Sequence, residues 1–176
     1  MTGWSTETRW WHITAQESAE DEVSDLAGAF VRALQPDVAV ETGTYTGQTA
    51  ARIGEALAVN GHGHLWTVEI DPGFAAEAEQ ACRGLPVTVV RGSSLAWVPP
   101  APIDFAWIDS GDAATRALEI RTWLPLFSPG AVIGVHDTNP QHSPVGEAVA
   151  GLIAEGLVAG ITLHTPRGVS FLQVVR

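Results

Sequence analysis

Apolar and polar positions along the chain follow two alternating periods. In residues 17–34, Val23, Leu26, Ala27, Phe30 and Leu34 recur at helical spacing. Ser18 and Asp21 resemble a capping box with Asp in place of Glu, and Pro36-Asp37 stops the helix. Short, nearly continuous apolar runs then appear at 38–42, 64–69, 87–91, 103–109 and 130–137. Helical stretches separate them: about 47–59, from Asp71-Pro72 to about Arg83, about 112–125, and from Pro144 to about Glu155. The segment 92–102 holds too much proline for a long helix, and Pro129-Gly130 ends the connection before the fifth run. The end reads as a hairpin, with ITLHT, the turn Pro166-Arg167-Gly168, then VSFLQVV.

Strands that alternate with helices imply a parallel sheet covered on both faces, and fully apolar strands are what that burial demands. The final hairpin needs a reversed strand, because only a tight turn joins its two runs. The expected fold is therefore α/β: a doubly wound, mostly parallel seven-stranded sheet with an antiparallel C-terminal hairpin, Rossmann-like in outline. Residues 1–176 are expected to form one domain, with an N-terminal aromatic segment and helix over 1–36 and the core over 37–176.

Composition narrows the partners. The chain is 45% hydrophobic and 16% charged, and no apolar run reaches the roughly 18 residues of a membrane span. The N-terminus lacks the basic start and apolar centre of a signal peptide, so a cytoplasmic location is expected. Net charge is −11, and the nine basic residues, all arginines, are scattered. Such a chain repels phosphate backbones and anionic membranes, so neither nucleic acid nor a membrane is an expected partner. Cys82 is the one cysteine, which excludes an intrachain disulfide and a cysteine zinc site. It reads as a small helix residue rather than a thiol nucleophile.

Ligands of doubly wound sheets sit beyond the carboxyl ends of the strands. Those ends carry Glu41, Glu69, Ser93-Ser94, Asp109 and Asp137. The first turn runs Glu41-Thr42-Gly43-Thr44-Tyr45-Thr46-Gly47. Gly43 permits a sharp turn and close ligand approach, and Gly47 opens a helix whose free N–H groups favour a carboxylate. Tyr45 stands where a dinucleotide fingerprint has its second glycine, which argues against a pyrophosphate. Glu41 argues for an ammonium or sulfonium centre instead. Glu69 lies where an acid binds both ribose hydroxyls; the plainer readings are a tight glycine turn and a solvated strand-end acid. Asp71 reads as a helix cap.

Taken in this order, the motifs resemble the class I S-adenosylmethionine-dependent methyltransferases. Within them the chain is similar to small O-methyltransferases of the catechol, caffeoyl-coenzyme A and bacterial sugar or antibiotic types, over about residues 37–176. The resemblance implies that Glu41, Gly43, Thr44 and Gly47 hold the methionine end of the cofactor, with Tyr45 and Thr46 lining it. It places Glu69 on ribose, Ile70 on adenine, and Ser93 and Ser94 at the adenine edge. Asp109 would lie beside the sulfonium, and Asp109 with Asp137 would hold a metal.

Two positions depart from that family. Its His or Lys three residues after the first metal aspartate is Asp112 here, and the Asn directly after the second is Thr138, with Asn139 one residue later. Asp109, Asp137 and a neutral oxygen of Thr138 or Asn139 would make an octahedral Mg2+ site, or the acids are strand-end residues without a metal. Methyl transfer to a hydroxyl needs a base or a metal, and the candidate bases are Asp112, His136 and His142. His136 reads equally as a packed strand residue, and His142 as a loop residue. Trp4, Trp10 and Trp11 would cover the site, pack the first helix or bury a homodimer contact. The leading expectation is O-methylation of a small-molecule hydroxyl. Its rivals are a cofactor binder without turnover and a nicotinamide oxidoreductase.

Overall fold

The computed structural model describes residues 11–13, 18–139 and 143–175. The elements are α1 (Asp21–Leu34), β1 (Val38–Thr42), α2 (Gln48–Asn60), β2 (His64–Glu69), α3 (Pro72–Ala81), β3 (Val87–Arg91), β4 (Ile103–Ile108), α4 (Ala113–Trp123), β5 (Phe127–His136), α5 (Pro144–Ala154), β6 (Val158–Leu163) and β7 (Val169–Val174). The seven strands form one sheet in the order β3-β2-β1-β4-β5-β7-β6. The first five pair in parallel, and β7 runs antiparallel between β5 and β6. This is the fold expected from the strand pattern. The reversal follows from chain length, since the turn from Leu163 to Val169 is too short for a crossover.

Alternation along the strands divides the core into two layers. Val38, Val40, Ala106, Ile108 and Ile133 face α4 and α5, where Ile120, Trp123, Val149 and Leu152 close the layer. Ala39, Leu65, Phe105 and Trp107 face α1 and α2, against Val23, Ala27, Val31, Ile53 and Leu57. Fully buried Ile53 and Leu57 are each worth about 2 kcal/mol of apolar burial. Among the described residues, no helix is long and apolar enough to cross a membrane.

Two boundaries differ from the sequence reading for identifiable reasons. Helix α1 begins at Asp21 rather than near residue 17, and Ser18 and Asp21 form no capping box: Glu20 is the cap residue, with no side-chain cap bond. Strand β5 starts at Phe127 and carries Pro129 within it, where a register shift against β4 between Ile103 and Phe105 makes room for a residue that cannot donate to the ladder. Asp71 does cap α3, accepting from the N–H groups of Gly73 and Phe74. Cys82 is buried behind that helix, and burial pushes its thiol up to about 12, which makes it a poor nucleophile. Trp4, Trp10 and His142 lie outside the described residues, while Trp11 packs on the α1–α2 layer.

Candidate active site

The sheet changes winding direction between β1 and β4, so the carboxyl ends of these strands open a crevice. The turn after β1 is shaped by left-handed backbone at Gly43 (φ 75°), Tyr45 (φ 51°) and Gly47 (φ 89°). A Cβ on Gly43 would lie 2.6 Å from the Asp109 carbonyl oxygen and 2.7 Å from Ser110 Cα. Only glycine lets β1 and β4 close there. Gly47 meets a different demand: a Cβ there would lie 2.9 Å from Ala78 Cα on α3. It packs α2 onto α3 and does not line the crevice.

The crevice is a cavity of about 470 Å³. Gly43, Thr44, Tyr45, Glu69, Ile70, Ser93, Ser94 and Asp109 all border it, so eight of the sequence-predicted positions converge. The Glu69 carboxylate accepts from the N–H of Tyr45 (2.8 Å) and of Asp71 (2.9 Å), which locks the turn after β1 to the end of β2. Ile70, 74% exposed, offers a flat apolar edge at the mouth, and Tyr45 stands against Phe74 on another wall, ring centroids 4.4 Å apart. Ser94 has its hydroxyl turned the other way: it donates to Glu119, a fully buried acid on α4 that also accepts from Thr42 and Ser110. Glu119 thus ties together the ends of β1, β3 and β4.

The sequence reading missed part of the cavity wall. Ser18 and Gln48 border the cavity, and the buried Ser18 Oγ and Gln48 Oε1 have no hydrogen-bond partner. Buried polar atoms without partners are rare and call for a ligand or water. Gln48 donates its amide N–H to Asp21 and to the Ala19 carbonyl, which aims its oxygen. Glu41, by contrast, does not border the cavity. It is 1% exposed behind the turn, receiving a hydrogen bond from Thr67 (2.5 Å), which in turn receives one from Thr44. Burial, with the nearby Asp109 and Glu69 charges adding to it and the Thr67 bond opposing it, raises its carboxyl to about 8.

The ends of β4 and β5 carry a closed ionic cluster. Arg116 Nη2 lies 3.2 Å from both Asp109 and Asp137, and Arg167 grips Asp137 with Nε at 2.6 Å and Nη2 at 3.0 Å. His136 is fully buried, with Nε2 2.8 Å from Glu20 and Nδ1 3.2 Å from Asp109. Burial alone would lower its pKa, but the charge and hydrogen bond of Asp109 and the bond to Glu20 raise it to about 9. Burial likewise opposes ionisation of Glu20 and Asp137, yet His136 holds Glu20 below its ordinary value, and His136, Arg167 and Arg116 do the same for Asp137.

This cluster corrects two readings. His136 sits as a buried ion-pair partner rather than an accessible base: it borders neither of the two cavities, and both ring nitrogens face carboxylates. Asp112 is the cap of α4: its carboxylate accepts from the Thr115 N–H and hydroxyl, bonds that hold it below the usual carboxylate range. A carboxylate so stabilised is a weak base.

The Mg2+ reading also meets resistance. Asp109, His136 and Asp137 bring one atom each within 4.8 Å of one another, but their ligating atoms already face guanidinium and acid partners. The neutral neighbours are held by other contacts. Asn139 donates its amide N–H to the Pro166 carbonyl, and Thr138 Oγ1 receives the Ser170 hydroxyl. The oxygens are of a type a hard dication takes, but Arg116 and Arg167 lie against the two acids that would hold it.

A second cavity of about 550 Å³ adjoins the first and shares Gly111, Arg116 and Arg167 with it. Asp112, Asp137, Ser143 and Pro144 complete its wall. Arg116, Arg167 and Glu20 were absent from the sequence-based site. No local motif marks them, since Glu20 meets His136 across 116 residues of chain and Arg167 meets Asp137 across 30.

Residues 40–138 match the family model of a methyltransferase domain. The fold is that of solved methyltransferases. The SAH-bound methyltransferase PaMTH1 of Podospora anserina superposes with a TM-score of 0.79 at 18% identity, covering 97% of this chain and 85% of that one. An O-methyltransferase of Bacillus cereus in complex with SAH gives 0.77 at 20% identity over 92% and 84%. The O-methyltransferase TomG of Streptomyces achromogenes, involved in tomaymycin synthesis and in complex with SAM, gives 0.72 at 21% identity over 90% and 82%. No curated protein sequence matches the chain.

Proposed function

The chain belongs to the methyltransferase-domain family over residues 40–138, and from that premise we propose that it transfers the methyl group of S-adenosylmethionine (SAM) to a hydroxyl of a small molecule. The observation that carries the reading is the polar cavity at the switch point, bordered both by Ser18 and Gln48, whose Oγ and Oε1 have no partner, and by the turn of Gly43, Thr44 and Tyr45. A zwitterionic methionine end needs such donors and acceptors, supplemented by the free N–H groups at the start of α2. Glu69 has lone pairs for two ribose hydroxyls, Ile70 and Phe74 offer apolar surface for adenine, and Ser93 lies at its edge. Asp109 and Glu69 favour a cationic sulfonium electrostatically.

The acceptor enters through the adjoining cavity, whose floor reaches Arg116 and Asp137. SAM supplies an electrophilic methyl carbon when bound. The protein aligns acceptor and carbon, which is the larger part of the catalytic task in an in-line displacement. Asp109 borders the cofactor cavity, and Arg116, its ion-pair partner, borders both cavities.

Calorimetric titration of the chain with SAM and with NAD(H) tests the cofactor, and release of SAH from a library of phenols, sugars and hydroxy acids tests transfer. SAM binding with no NAD(H) binding is expected; NAD(H) binding alone would overturn the reading. A second reading, a SAM-binding protein without turnover, is favoured by one observation: among the described residues, both sequence-predicted bases are tied up as a helix cap and a buried ion pair. It predicts SAM binding with no SAH release from any acceptor.

A further inference from the structure

Building on the methyltransferase reading, we infer that Arg116 and Arg167 stand in place of a divalent cation: the Asp109–Asp137 pair is closed by guanidinium groups and binds no metal. Cationic side chains face both carboxylates. Asp109 Oδ1 is hydrogen-bonded to His136 Nδ1 at 3.3 Å and lies 3.2 Å from Arg116 Nη2, and Asp109 Oδ2 lies at ion-pair distance, 3.2 Å, from the same His136 nitrogen. Asp137 Oδ1 faces Arg167 Nε at 2.6 Å, and Asp137 Oδ2 is shared by Arg167 Nη2 at 3.0 Å and Arg116 Nη2 at 3.2 Å.

Neither guanidinium is free to swing aside. Arg116, 6% exposed, also donates to the Ser110 carbonyl through Nε (2.7 Å) and to the His136 carbonyl through Nη1 (2.8 Å). It is therefore pinned to the strand ends that present the two acids. Arg167 donates to the Ser18 carbonyl through Nη1 (2.7 Å), and its own N–H goes to Glu20. A fork-shaped cation gripping a carboxylate at both oxygens uses the lone pairs a metal would need.

Magnesium asks for about six oxygen ligands in octahedral geometry at close range. Here it would have to displace fixed N–H donors and sit beside two guanidinium charges. Two carboxylates against two guanidiniums already balance, so the site has no surplus negative charge to attract a dication. Methyl transfer balances without one: the acceptor oxygen forms the new O–C bond, the C–S bond breaks with its electron pair left on sulfur, and the hydroxyl proton passes to water.

Electron paramagnetic resonance of Mn2+ titrated into the full chain, with and without SAM, reads the inference apart from catalysis. The expected result is an undiminished signal of free Mn2+, and thermal midpoints unchanged by Mg2+ or by a chelator. One Mn2+ bound per chain and lost in Asp137→Asn would overturn it. SAM calorimetry on the same sample keeps a failed methyltransferase reading distinguishable from a failed metal inference. A double-mutant cycle gives a second readout. Asp137→Asn and Arg167→Met should each lower the unfolding midpoint, and the double variant should be no worse than the poorer single variant. Strictly additive losses would show that the guanidinium does not hold the acid, and would equally overturn the inference. Should either single variant fail to fold, the Mn2+ titration of the unaltered chain still decides.

Discussion

The two halves of the crevice handle polar groups in opposite ways. On the β1–β2 side, polar atoms point into space: Ser18 Oγ and Gln48 Oε1 are buried without partners, and Glu69 keeps lone pairs toward the cavity. On the β4–β5 side, Glu20, Asp109, Asp137, His136, Arg116 and Arg167 satisfy one another. Unsatisfied buried groups cost folding free energy and are tolerated where a ligand completes them. A self-satisfied network costs desolvation but keeps one geometry whether or not ligand is present. The difference assigns work: one half is completed by its cofactor, and the other is a preformed wall that holds Asp109 in place.

The contrast breaks most sharply at Gly43. Gly43→Ala adds a left-handed non-glycine residue, worth about 1–2 kcal/mol, and drives a methyl group to 2.6 Å from a backbone oxygen that has no easy escape. A total loss of about 3 kcal/mol or more is expected, together with loss of SAM binding by calorimetry. Gly130→Ala is the control. Its φ is 85° and a Cβ there meets nothing within 4 Å, so it isolates the backbone strain and should leave SAM binding intact. Unchanged SAM affinity in Gly43→Ala would place the cofactor elsewhere.

A pH series tests the self-satisfied half next. The folded pKa of His136 is raised to about 9 from an ordinary value of 6.5. The folded state therefore binds the proton more tightly, and this stabilisation is complete below 6.5 and lost as pH rises through 9. Chemical denaturation should show stability falling by about 3 kcal/mol over that window, with the slope reduced in His136→Gln. Stability that rises from pH 6.5 to 9 would show that the imidazole is held neutral.

The same division explains what the sequence made legible. The turn after β1 is contiguous in the chain, and its glycines, Glu69 and Asp109 each sit at a strand end whose position follows from the apolar pattern. The fold class, and the positions that border the crevice, were readable for that reason. Arg116 and Arg167 were not, because a guanidinium on a helix or in a hairpin turn looks like ordinary surface until the sheet brings it to an acid. His136 looked like a base on its intrinsic pKa, and only the structure supplies Glu20 and the burial that reverse its role. Ser18 was read as a cap, whereas the cap residue is Glu20 and the Ser18 hydroxyl is left facing the cavity.

Ser18→Ala sharpens the ligand-completed half with a smaller effect. Removing a buried hydroxyl that has no partner should leave the free chain as stable as before or slightly more so. Affinity for SAM should fall by about 1 kcal/mol, near fivefold, if that oxygen meets the methionine end. A matched pair of thermal melts and titrations separates the two effects. Lower stability with unaltered affinity would make Ser18 a structural residue.

Glu41→Gln carries the smallest expected effect and decides between two views of the first turn. The sequence alone suggests that Glu41 meets the cofactor ammonium, but its carboxyl lies behind the turn and touches Thr67. With a pKa raised to about 8, the folded state holds it protonated at neutral pH, so a neutral amide of the same length is a close replacement. Its raised pKa also means that the wild-type chain loses stability as pH rises from the ordinary carboxyl value of 4.5 through 8, as the unfolded state ionises first. Glu41→Gln should remove that slope and change SAM affinity by less than about 1 kcal/mol. A tenfold loss of affinity with the slope intact would return Glu41 to the methionine subsite and require the turn to open when the cofactor binds.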